Sequence, residues 1–182
     1  MRRSVAVLVC CLGAVQAFAE EPAEAPTSAW KTARWGMAPA EVVAAFPGEA
    51  RRPENPDRYD DGPVLVEIPS LEIGEASYVV HFVFTEEKLS KIRVKAWMIP
   101  EPEAVKRYEF LLRMLSDSHG PPGTCSTDDH SKGLIQNVRV YCQWTTPSSR
   151  VTLERLLVAP KTHLALGVAK RPSGVGITYS PP

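Results

Sequence analysis

An excess of charge of either sign is the first thing missing from this 182-residue sequence. Lys and Arg total 21, Asp and Glu total 21, and the formal net charge is +0. So balanced a chain carries no global field for nucleic acid or an anionic lipid surface. Long apolar runs are missing too. The run from Val5 to Val15 has eleven positions, short of the about 20 that a membrane-spanning helix needs. No Gly-x-Ser-x-Gly elbow, P-loop or dinucleotide-binding glycine pattern occurs, so the sequence signatures of common hydrolases and nucleotide enzymes are absent. The histidines His81, His119, His130 and His163 are scattered, with no His-x-x-x-His pair of the kind that opens a helical zinc site.

What is present begins with an export signal. Met1-Arg2-Arg3, the short apolar run and Gln16-Ala17-Phe18-Ala19 together predict a secretory signal peptide over 1–19, cleaved after Ala19. The remainder holds 19 basic residues against 21 acidic. Export predicts a periplasmic or extracellular location. Cysteine is scarce at four, and two of these lie in the signal peptide. Cys125 and Cys142 are then an even pair in an oxidising compartment, which predicts a structural disulfide. Their spacing is far from Cys-x-x-Cys, so redox chemistry is not expected.

Residues 20–30 are polar and carry prolines, which predicts a disordered lead-in. Pro39, Glu41, Val42, Val43 and Phe46 fit a short helix stopped at Pro47-Gly48. Glu49 to Gly62 carries three arginines and five acids and reads as a long surface loop. Val64 to Ile73 is a strand interrupted at Pro69. Ala76 to Met98 is the clearest element. Tyr78, Val80, Phe82 and Phe84, then Ile92, Val94 and Ala96, recur at period two, giving an antiparallel hairpin with a bulge after the turn at Thr85–Lys88. Lys91, Arg93 and Lys95 stand on its wetter face.

A longer helix follows from Pro100, with Val105, Tyr108, Leu111, Leu112 and Leu115 as its apolar stripe, and it ends at Gly120. Strands are expected near Cys125, over Leu134–Thr145, Arg150–Ala159 and Thr162–Ala169. The tail at Ile177-Thr178-Tyr179 reads as a short edge strand, and Ser173-Gly174-Val175-Gly176 as a loop. Helix then antiparallel strands occurs twice. The expected fold class is therefore α+β: two helix-then-antiparallel-sheet units in tandem, 31–98 and 99–182, packed in two layers as a degenerate internal duplication.

Trp35-Gly36-Met37-Ala38-Pro39-x-Glu41-Val42, with Phe82-x-Phe84 and Lys88-Leu89-x-x-Ile92, resembles small exported bacterial proteins of the SmpA/OmlA-like and β-lactamase-inhibitor-protein-like class. The resemblance covers Trp35 to Met98, and the second half only by pattern. It implies helix-plus-sheet units and a role in binding other proteins, either in outer-membrane barrel assembly or in blocking a secreted enzyme. The lipoprotein cysteine of the outer-membrane class is absent here, since Val9 and Cys10, which precede Cys10 and Cys11, are not small.

The expected function is an exported, non-enzymatic protein that binds another envelope or secreted protein, with no catalytic residue, cofactor site or metal ligand assigned. The alternative is a metal-binding protein or hydrolase built around Asp128, Asp129 and His130, whose oxygens and ring nitrogen could meet a metal. A turn rich in short polar residues explains the same three. The row Lys91, Arg93, Lys95 could meet a phosphate, or be the wet face of a strand.

Overall fold

The computed structural model describes residues 28–132, 135–160 and 172–182. The expected signal peptide, most of the lead-in, and the strand expected over Thr162–Ala169 lie outside the described residues. In chain order the elements are β1 (Ser28–Trp30), β2 (Ala33–Arg34), α1 (Pro39–Ala45), β3 (Arg58–Tyr59), β4 (Gly62–Ile73), β5 (Ala76–Thr85) and β6 (Lys88–Pro100). The second half adds α2 (Glu101–His119), β7 (Thr124–Asp129), β8 (Ile135–Thr145), β9 (Arg150–Pro160) and β10 (Pro172–Ser180).

The expected α+β class, with two tandem units in two layers, is corrected by this topology. With 55% strand against 19% helix, the protein is mostly antiparallel sheet, curled into a half-barrel and accompanied by two helices. One eight-stranded sheet runs in the order β3-β4-β5-β6-β10-β9-β8-β7. The joint is β10. It lies between β6 and β9, pairing Ile177 with Val94 on one side and with Leu153 on the other. The tail is thus a central strand rather than an edge, and Ser173–Gly176 belongs to it rather than to a loop. The physical reason is glycine at 174 and 176. These residues blank every second position, so the alternation of Val175, Ile177 and Tyr179 reads as a strand only at its C-terminal end.

One face of the sheet carries the core. Val66, Ile68, Tyr78, Val80, Phe82, Ile92, Val94, Val175, Ile177, Leu153 and Trp144 are all buried there. Helix α2 lays Ala104, Tyr108, Leu111 and Leu115 against it; the predicted stripe is right at 108, 111 and 115, and Ala104 joins it. Helix α1 contributes Val42, and Phe46 just beyond it stacks 5.5 Å from Phe82. Glu41 accepts from the Ala38 N–H at 2.7 Å, the N3 half of a capping box. Two indole donors tie distant pieces together: Trp35 Nε1 to the Ser148 carbonyl at 2.8 Å and Trp144 Nε1 to the Gly120 carbonyl at 2.9 Å.

The disulfide is present between Cys125 and Cys142. It joins residues directly opposite each other on β7 and β8 and so fastens the edge strand to the sheet. The Tyr108 hydroxyl donates to Cys142 Sγ at 3.4 Å.

Candidate functional site

The face opposite the helices is chemically different because side chains alternate across each strand. On β6, Lys91, Arg93 and Lys95 point away from the core. Their cross-strand neighbours follow from register: Thr178 faces Arg93, and Gly176 faces Lys95. On the far side, Thr178 faces Thr152, Gly176 faces Glu154, and Gly174 faces Leu156. Glycine at alternate positions of β10 therefore removes side chains from the middle of this face. A trough follows β10, with β6 as one wall and β9 as the other. It encloses about 370 Å³, within the size range of binding pockets.

Trp97 closes one end. Between Ala96 and Ile99 the β6–β10 register slips, so Trp97 and Met98 together oppose Gly174, a bulge. Met98 sits at φ 59°, a left-handed conformation that costs a non-glycine residue about 1–2 kcal/mol. The bulge leaves Trp97 52% exposed and Met98 72% exposed, and Trp97 lines the trough.

Tyr59 tops the β6 wall, over Arg93 and Lys95. It arrives on the segment expected to be a plain surface loop, which instead folds across β5 and β6. Gly62, at φ 143°, makes that crossing possible, because a Cβ there would lie 2.2 Å from the Phe84 carbonyl oxygen. Asp61 meets Lys91 in an ion pair and Arg93 Nη2 at 3.1 Å, while Asp57 meets Lys95 Nζ at 3.4 Å. The Arg93 guanidinium lies 4.2 Å from the Tyr59 ring centroid, a cation–π contact.

An ammonium can only donate, so Tyr59 Oη accepts from Lys95 Nζ at 2.8 Å, and it shares a hydrogen bond with His81 Nδ1 at 3.0 Å. The same ring nitrogen lies 3.6 Å from Asp57 Oδ2. Burial, then the Lys95 charge, pushes the imidazole down to about 4, with Asp57 and Glu67 opposing. For Asp61, burial alone would raise the carboxyl. Hydrogen bonds and charge from Lys91 and Arg93 outweigh it and hold the group below the usual carboxylate value.

Asp128, Asp129 and His130 lie elsewhere, at the end of the edge strand β7. Asp129 Oδ1 accepts from the Ser131 N–H at 2.9 Å, and the His130 N–H donates to the Asn137 carbonyl at 2.8 Å. Both are bonds that shape a turn. Among the described residues no group of three or more His, Cys, Asp or Glu is placed to hold a metal ion. Among them, too, no helix is long and apolar enough to cross a membrane. His119 ends α2, away from the trough.

Sequence reasoning placed Lys91, Arg93 and Lys95 on the outer face but missed Tyr59, Trp97 and Glu154 as their companions. The available signal was Asp57 and Asp61 preceding a Lys-x-Arg-x-Lys strand, two acids that could span alternate cations. No protein-family model matches this chain, and no curated protein and no solved structure matches it either.

Proposed function

We propose that this chain is an exported, non-enzymatic protein that binds another protein of the cell envelope or the extracellular medium, and that the β10 trough is its binding surface. The observation that carries this reading is the set of residues around the trough. Tyr59, Arg93 and Trp97 converge on one open pocket, and Tyr, Trp and Arg are the side chains that most often dominate protein–protein binding energy. The exposed Trp97 adds apolar area at the trough. The short likeness around Trp35–Val42 to exported protein-binding families points in the same direction.

The test is site-specific photo-cross-linking in envelope and secreted fractions of the source organism. A photoreactive side chain at position 97 should yield one recurrent protein adduct. The same group at Arg113, exposed on α2, should not. Adducts only from position 113, or from neither position, would reject the reading.

A further inference from the structure

The β6 wall pairs its cations incompletely. A guanidinium carries five N–H groups, yet the Arg93 bond to a carboxylate is the single contact from Nη2 to Asp61. Arg93 Nε and Asp61 Oδ1 are both buried with no partner among the described residues, so this ion pair is closed at one point only. Along the wall, three cations (Lys91, Arg93, Lys95) meet two carboxylates (Asp57, Asp61), so a positive charge is left over. Across the floor stands Glu154, held by Arg139 Nε at 2.8 Å. The trough is thus asymmetric, with surplus positive charge on one side and a carboxylate on the other.

Geometry adds a spacing. Lys95 and Trp97 are alternate residues of one strand, on one face and about 6.8 Å apart along it. That is also the distance between residues i and i+2 of any extended chain lying alongside. With the Trp97 indole seated on Gly174, the open floor from Gly176 to Thr178 is about 7 Å long by the same rise, enough for roughly two extended residues beside the indole.

Resting on the protein-binding reading above, we propose that the occupant is an extended acidic segment of the partner. In it, a carboxylate engages Arg93 and Lys95, and an apolar side chain two residues away packs on Trp97. Glu154 enforces the polarity, because an acid placed against the β9 wall meets a like charge. A basic segment in the same register meets the cationic wall.

The probes are fluorescein-labelled seven-residue peptides with blocked ends, in a Gly/Ser background. One carries Glu two residues before Phe. Matched peptides replace the Glu by Lys, or place the Phe directly next to the Glu. Anisotropy titrations against the purified, disulfide-bonded protein should show the spaced acidic peptide binding at least tenfold tighter than either control, and weakening as salt rises. Lys95→Glu should reverse the preference between acidic and basic peptides, and Trp97→Ala should abolish binding while far-UV circular dichroism stays native.

Equal binding of acidic and basic peptides, or binding of neither, overturns the proposal. So does preference for phosphatidylglycerol vesicles over every peptide, which assigns the wall to lipid headgroups. A dimer that Lys95→Glu dissociates also overturns it, by assigning the trough to a second copy of the chain. A persistent protein cross-link at position 97 without acidic preference removes the occupant and leaves the protein-binding reading. Loss of the cross-link removes both.

Discussion

The Trp97 indole rests on Gly174: a Cβ at that position would come within 1.7 Å of Trp97 Cε3. Gly174 needs no unusual backbone, so its lack of a side chain serves this contact alone. Gly174→Ala should push the indole off the sheet and cost about 1–3 kcal/mol as an overpacked site does. In the Trp97→Ala background the same alanine should cost far less, since the clash is gone. Urea unfolding of the four proteins checks this. Additive costs would show that the two residues do not interact.

His81 sets a pH dependence. Its folded pKa of about 4 lies below the unfolded value of about 6.5, so between these limits the unfolded chain binds a proton that the folded chain refuses. Stability from this group is complete above about pH 6.5 and falls as the pH drops towards 4, by about 3 kcal/mol in all. Below that range Asp61 takes over: its depressed carboxyl stabilises the fold above its unfolded value of 3.8 and loses that contribution as acid protonates it. His81→Asn keeps a hydrogen-bonding partner for Tyr59 and should flatten the upper limb. Unfolding midpoints at pH 7, 5.5 and 4.5 that fall equally in both proteins would place the titration elsewhere.

The Asp61 carboxylate compensates two cations at once, and their side chains are mostly covered. Asp61→Asn should therefore destabilise by about 2 kcal/mol, in the range of hydrogen bonds to charged groups. The Arg51–Glu67 pair is the contrast, because Arg51 is 62% exposed and Arg51→Ala should change stability by less than about 0.5 kcal/mol. Similar losses in the two variants would mean that the segment carrying Tyr59 is not held by its acids.

The disulfide closes a loop of 17 residues, worth about 3 kcal/mol in the chain-entropy model. Cys142→Ser should lower the melting temperature by roughly 6–12 °C for a chain of this size. Reductant should act on the wild type and leave the variant unchanged. A wild type indifferent to reductant would contradict a structural role.

The parts of the fold that could be read from residues alone were those written in local pattern. Pro39 and Pro102 near helix starts, Gly120 at a helix end and strict alternation from Tyr78 to Phe84 each report a nearby backbone preference. The position of β10 has no such marker. Its pairing with β6 joins residues some 80 positions apart, and glycine at 174 and 176 erases half of its pattern. That one strand converts two apparent units into a single sheet. The same erasure hid the trough, because the floor of a site made by missing side chains leaves no candidate residues to nominate. Tyr59 was hidden differently. A charged segment with little apolar content reads as solvated unless the cations that bind it are known to be within reach.

The trough is tested most directly by one titration: calorimetric binding of the partner identified by cross-linking at position 97 to the wild type, Trp97→Ala and Arg113→Ala. The trough predicts that Trp97→Ala weakens binding at least tenfold, as loss of a central aromatic anchor does, and that Arg113→Ala matches the wild type. Unchanged affinity for Trp97→Ala with a loss for Arg113→Ala would move the binding surface to the helix face and contradict it.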